Sequence, residues 1–305
     1  MPIFYFDHNI YIYSLTNEDL RNKLQTLSKE KYKCIYSPAH IEEIFKASSE
    51  NDSYEPREDL LSIISAVTSN QEALPQSPPN QAIIIRTENP SDCYRRVASF
   101  DSTDRVTSDS SARLKDDQMH YKPLMKEVKE YRNISNISPL KIFDYDLVKS
   151  NIDELNQNIE TEINKYNMNR ENLILSMIGC CKKLPDDFRF EKNRYALMIN
   201  DHTQLEYTIE ILFRVLNYCG YNAEKMEKTA ISGTHDVSHA IYATAADYLF
   251  TTDTHFALKC QAVYSFLGIK TKILYQSNVS LASRINDLCI ECSQVPFLFC
   301  SKDIP

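Results

Sequence analysis

Four apolar residues, Ile3 to Phe6, run without interruption and stop at the polar triplet Asp7-His8-Asn9. An unbroken apolar run of that length suits a strand buried on both faces, as in a parallel sheet. A helical pattern follows from about Ile10 to Lys29, and Tyr32 to Tyr36 reads as a second strand. Ser37 and Pro38 form an N-cap and first-turn pair for a helix from Ala39 to Ala47, which carries Glu42 and Glu43. Near the other end of the chain, Gly233 and Thr234 suggest a turn and N-cap. They precede a short helix rich in small residues (Val237, Ala240, Ala243, Ala245). Tyr248 to Thr251 is expected as a buried strand, Thr254 to about Phe266 as a helix stopped by Gly268, and Ile269 to Tyr275 as a further strand. The two segments imply one α/β domain with a mainly parallel sheet and right-handed crossovers, assembled from residues 1–50 and 229–276.

Residues 51–228 have a different pattern and read as a mainly helical insertion or lobe. Ala82 to Arg86 suits a strand, Phe100 to Ser111 a polar loop, and helices are expected around 112–131, 142–166, 172–183 and 202–218. Residues 277–305 form a C-terminal extension with one helix, Ser280 to Cys289.

Composition narrows the function classes. The chain of 305 residues is 43% apolar, enough to fill a core, and carries a formal charge of -8, so no global positive field recruits a polyanion. Any such partner must be held locally, by a patch or by metal ions. No apolar run reaches transmembrane length, and Met1 to Phe6 lacks the features of a signal peptide, so a cytoplasmic protein without membrane association is expected. The nine cysteines follow no disulfide framework, in keeping with reduced thiols. Cys289 and Cys292 form a lone CxxC without a second ligand pair for zinc.

The candidate chemistry lies in acidic residues at strand and helix ends: Asp7, Glu43 with Glu42 as the alternative, Asp236 and Asp253. In an open parallel sheet, ligands bind beyond the carboxyl ends of the strands, where the strand order reverses. Carboxylates converging there would repel one another unless a hard cation such as Mg²⁺ or Mn²⁺ neutralised them. Alone, Asp236 or Asp253 is accounted for equally well as a helix cap. Five of seven histidines (His8, His40, His235, His239, His255) fall within the same motifs. His239 lies three residues after Asp236, on the same helix face, either as a functional group or as a packed ring beside the site.

The four motifs FYFDHN, SPAHIEEIF, THDVSHAIYATA and LFTTDTHF resemble those of the PIN-domain nucleases. The resemblance covers about a third of the chain and implies a PIN-like three-layer fold with a large helical insertion. It implies a metal-dependent endoribonuclease that hydrolyses single-stranded RNA. In that family's pattern Asp7, Glu43, Asp236 and Asp253 hold one or two Mg²⁺ or Mn²⁺ ions, and Asn9 and Thr251 orient a ligand or bind phosphate. His239 is the further candidate for positioning or proton donation. Thr252 stands where the family often has a basic residue. The family also implies restraint by a regulatory protein partner, or use as a toxin or defence effector, and leaves a homo-oligomer open. The alternatives are a structure-specific DNA nuclease and a non-catalytic PIN-like interaction protein.

Overall fold

The computed structural model describes residues 1–29, 32–50, 56–77, 81–100, 143, 192–218, 221–222 and 227–275. Strand β1 (Ile3–Phe6) is followed by α1 (His8–Thr16) and α2 (Glu18–Lys29), then β2 (Lys33–Ile35) and α3 (Pro38–Glu50). The single helix expected over 10–29 is two. Asn17 is extended (φ -117°, ψ 95°) and its Oδ1 accepts from the Leu20 amide at 3.0 Å, capping α2 and ending α1. Helix α4 (Arg57–Thr68), the hairpin of β3 (Gln71–Pro75) and β4 (Ile83–Thr87), and α5 (Pro90–Phe100) come next. After the short α6 (Tyr195–Met198) and α7 (His202–Tyr218), the chain runs through α8 (Glu227–Tyr242), β5 (Tyr248–Thr251), α9 (Thr254–Leu267) and β6 (Lys272–Tyr275).

The central sheet is parallel with strand order β2-β1-β5-β6. Successive crossovers go from β1 outward to β2, then back past β1 to β5, so the order reverses between β1 and β5. Side chains alternate across the sheet, and two cores form on its opposite faces. Phe4, Phe6, Cys34 and Phe250 pack against α1 to α4, whereas Tyr5, Ile35 and Leu249 pack against α7 to α9. The protein is therefore a mixed α/β fold with a mostly parallel sheet flanked by helices. Helix α9 ends at Gly268, in the left-handed region (φ 77°), where an added Cβ would lie 3.0 Å from Asn193 Oδ1.

Part of the segment expected as an insertion packs against this sheet. Leu60, Leu61, Ile64 and Val67 of α4 complete the core beneath β2. Tyr36 bridges in parallel to Glu72, its amide donating to Gln71 O at 2.9 Å, so the separate antiparallel β3–β4 hairpin is joined to the chain just after β2 by an isolated bridge. The helices expected around 112–131, 142–166 and 172–183 lie outside the described residues, as does the C-terminal extension. The exception is Phe143, whose ring packs 4.8 Å from Phe266. Among the described residues no helix is long and apolar enough to cross a membrane.

The hairpin is anchored by charge. Glu72, wholly buried, accepts from Arg86 Nε at 2.9 Å, from Arg96 Nη2 at 2.5 Å and from Cys93 Sγ at 3.3 Å, while both arginines also pair with Glu88. Arg95, by contrast, pairs at 2.8 Å with Asp92 on the exposed face of α5. Removing one partner of a buried ion pair costs about 3–5 kcal/mol. Glu72→Ala is expected toward the lower end of that range, because Arg86 and Arg96 are partly exposed and can turn to water. Urea unfolding monitored by circular dichroism checks this. A change near zero would show that the network adds nothing to stability.

Candidate active site at the carboxyl ends of β1 and β5

The register between the two central strands builds the site. Phe6 lies opposite Phe250, and the Asp7 amide donates to Phe250 O at 2.8 Å, extending the ladder by one step. Asp7 and Thr251 thus leave the sheet side by side. The Thr251 hydroxyl donates to Asp7 Oδ2 at 2.7 Å and accepts from the Asp253 amide at 3.0 Å. Asn9 Nδ2 reaches the same Asp7 oxygen at 3.4 Å. Asn9 and Thr251, expected as ligand-positioning residues, both act on Asp7 in this arrangement.

Asp253 caps α9, its Oδ1 accepting from the Phe256 amide at 3.0 Å. The capping role expected for it is real and occupies one of its oxygens. Asp236 differs. The expected turn at Gly233 and Thr234 is absent, because α8 starts at Glu227 and passes through both residues. Asp236 is interior to that helix, so capping does not explain it. Packing of Val237, Ala240 and Ile241 against the core outweighs the weak local helix propensity, including one interior glycine costing about 1 kcal/mol. Between the neighbouring glutamates, it is Glu43 that faces the cluster, its Oε1 bonding His239 Nε2 at 2.6 Å.

The four carboxylates lie within electrostatic reach of one another. Burial raises Asp7 above the ordinary carboxylate range, and Glu43 and Asp253 push it further the same way. Burial raises Asp236 well above that range, opposed chiefly by Lys259 and reinforced by Asp7, Asp253 and Glu43. Among the described residues, Asp236 accepts no hydrogen bond, and Asp7, Glu43 and Asp253 each use a single oxygen. Hard oxygen donors are therefore open on every member. Among the described residues no three His, Cys, Asp or Glu side chains already stand in a coordination arrangement. The carboxylates are assembled around a common region without being drawn onto a common point.

Beneath them lies a layer of which the sequence singled out the histidines as candidates for chemistry but not Tyr5 or Ser37. His40 is fully buried; its Nε2–H donates to Phe6 O at 2.7 Å and its Nδ1 accepts from the Ser37 amide at 3.1 Å, tying the end of β1 to the start of α3. His239 packs 4.6 Å from His40, ring centre to ring centre. Its Nδ1 is 2.6 Å from the Tyr5 hydroxyl, which is 2.6 Å from Ser37 Oγ. Ser37, expected to cap α3 with its hydroxyl, uses that group in this chain instead. His239 has both ring nitrogens engaged by the protein, which suits holding Glu43 and not direct contact with a substrate. His8, 6% exposed, has a buried Nδ1 with no hydrogen-bond partner among the described residues. His235 is partly buried at the edge of the cluster and His255 is exposed.

Lys259, 1% exposed, brings a positive charge to the cluster from α9. Its signal was present in the sequence. Phe256, Lys259 and Val263 share one face of α9, so a lysine occupies a core position, where it needs a charged or polar partner. Comparison of the chain with protein-family models, with curated proteins and with solved structures returns no match.

Burial lowers both His8 and His239 to about 4, and His40 well below its ordinary value. A histidine whose folded pKa is depressed contributes full stability above its unfolded value near 6.5. That contribution is lost as pH falls toward about 4, because the unfolded chain takes up protons the fold refuses. Asp7 and Asp236 act with the opposite sign: their contribution is full below about 3.8 and is lost as pH rises through their raised folded values. Histidine-selective NMR separates the two effects. His8 and His239 are expected to stay neutral at pH 6 and titrate near 4. Midpoints near 6.5 would contradict the burial that underlies the site.

Proposed function

We propose that this protein is a PIN-like, divalent-metal-dependent phosphodiesterase acting on single-stranded RNA. The observation that carries the reading is the gathering of Asp7, Glu43, Asp236 and Asp253 at the strand-order reversal, with burial opposing the ionisation of Asp7 and Asp236 and at least one oxygen open on each of the four. In a parallel α/β sheet that location is where ligands bind. A cation there offsets both the burial cost and the mutual repulsion, and carboxylate oxygens are the donors that Mg²⁺ and Mn²⁺ prefer. The order of these acids along the chain is the one the PIN resemblance implies, which supports the same choice.

Asp7, Glu43, Asp236 and Asp253 would hold the metal. When bound, it supplies positive charge for the phosphate oxygens and activates water for attack on phosphorus. The chain's own residues do the rest. Thr251 and Asn9 fix the rotamer of Asp7, His239 holds Glu43, and the Asp253 cap sets the start of α9 against the end of β5. Lys259 sits where a phosphodiester would need compensation, so the overall charge of -8 is no obstacle to an anionic substrate.

The test is cleavage of labelled single-stranded RNA with Mg²⁺, Mn²⁺ or EDTA, beside branched DNA. Asp236→Asn and Asp253→Asn keep side-chain shape, and in the second variant the amide oxygen can still cap α9. Both are expected to fold and to lose at least about 100-fold in rate, at or beyond the upper end of losses seen when a metal ligand's supporting partner is removed. EDTA should abolish cutting. Cleavage of branched DNA alone would move the substrate class. No cleavage by the wild type with either metal would sink the hydrolase reading and favour a binding protein.

A further inference from the structure

Three buried polar groups from three different elements are strung together behind Glu43: Ser37 at the start of α3, Tyr5 of β1 and His239 of α8, with successive separations of 2.6 Å. We propose that Tyr5 is a positioning residue for Glu43, acting through His239 by fixing which ring nitrogen carries the proton. This rests on reading Glu43 as a metal-holding carboxylate.

The argument is one of donors and acceptors. A carboxylate can only accept, so His239 Nε2 carries the hydrogen it gives to Glu43 Oε1. In the neutral ring Nδ1 is then a lone-pair acceptor, and the only group bonded to it among the described residues is the Tyr5 hydroxyl, which must donate. The Tyr5 oxygen in turn accepts from Ser37 Oγ–H. Tyr5, Ser37 and His239 are each 1% exposed or less, so water cannot substitute for a missing partner. Tyr5 also cannot turn away, because its ring is held in the core between β1 and α8 and lies 4.9 Å from His40.

Without the Tyr5 hydroxyl, a ring protonated on Nε2 leaves Nδ1 as a buried acceptor with no partner among the described residues, a cost that works against the tautomer Glu43 requires. Placing the proton on Nδ1 would leave two acceptors, Nε2 and Glu43 Oε1, facing each other at hydrogen-bond distance. Glu43 would then leave its present rotamer, and its open oxygen would no longer point with the other carboxylates. Outer partners that set the orientation of a metal-holding carboxylate are typically worth about 10–100-fold in metal affinity. The inference assigns that effect to a residue on the strand beneath the site, two positions before Asp7.

Mn²⁺ binding to the full chain by titration calorimetry tests this without any substrate. Tyr5→Phe is expected to weaken Mn²⁺ about 10–100-fold. Tyr36→Phe serves as the control, since it also removes a phenol hydrogen bond, to Glu88 O at 2.8 Å, but one outside the Ser37–Tyr5–His239 chain. It should bind as the wild type does. His239→Gln, whose amide can still donate to Glu43, should keep more affinity than His239→Leu. Nitrogen-15 NMR of the wild type should find His239 protonated on Nε2, a readout that does not depend on any variant folding. Equal Mn²⁺ affinity in Tyr5→Phe and wild type, or an Nδ1-protonated His239, would overturn the proposal. Absence of Mn²⁺ binding by the wild type would overturn it together with the metal reading of Glu43. Mn²⁺ binding lost in Tyr5→Phe, without RNA cleavage by the wild type, would uphold it while rejecting the nuclease.

Discussion

The hydrogen bond from Thr251 to Asp7 ties together the carboxyl ends of the two central strands, and the candidate site depends on it. It exists because β1 and β5 are neighbours in parallel register, so that residues one step beyond Phe6 and Phe250 emerge together. Both strands are nearly continuous apolar runs because helices cover both faces of the sheet. The same crossovers bring α3 and α8 over the end of β1, carrying Glu43 and Asp236. Four acids drawn from two distant stretches of the chain thus meet through topology and not through local sequence.

Electrostatics in this region is unbalanced among the described residues. Four carboxylates face one buried lysine, and the three buried histidines are held neutral by the cost of charging them away from water. Neutral rings cannot offset the carboxylates, but they can donate. His239 and His40 each give one hydrogen to an oxygen and use the other nitrogen as an acceptor, so no ring charge is needed. The fold therefore uses these histidines for orientation, and under the proposed metal reading compensation falls to Lys259 and a bound cation. This division suits a site that is tight in its supports and open in its donors.

The strands of the site were legible because buried parallel strands announce themselves as short apolar runs, and β1 and β5 fall where the sequence places them. The acids were expected at strand and helix ends, and the fold brings them within electrostatic reach of one another. The start of α8 was not legible. Gly233 and Thr234 have the local chemistry of a turn, yet the surrounding residues carry the helix through them, and that turned Asp236 from a suspected cap into an interior side chain. The break at Asn17 was hidden for the opposite reason, since an apolar pattern continues across it and only a side-chain cap ends the first helix. Tyr5 and Ser37 were invisible as functional residues because their role depends on contacts between β1, α3 and α8. Glu72 and its arginines were missed likewise, as pairing across a hairpin is not written in the spacing of either strand.

The claim that these carboxylates form a divalent cation site is tested most directly by anomalous diffraction from a crystal soaked in Mn²⁺. The account predicts one or two manganese peaks bounded by Asp7, Glu43, Asp236 and Asp253, with the Asp7–Thr251 and Glu43–His239 bonds intact. Saturating Mn²⁺ that leaves this region empty, or that collects elsewhere on the chain, would contradict it.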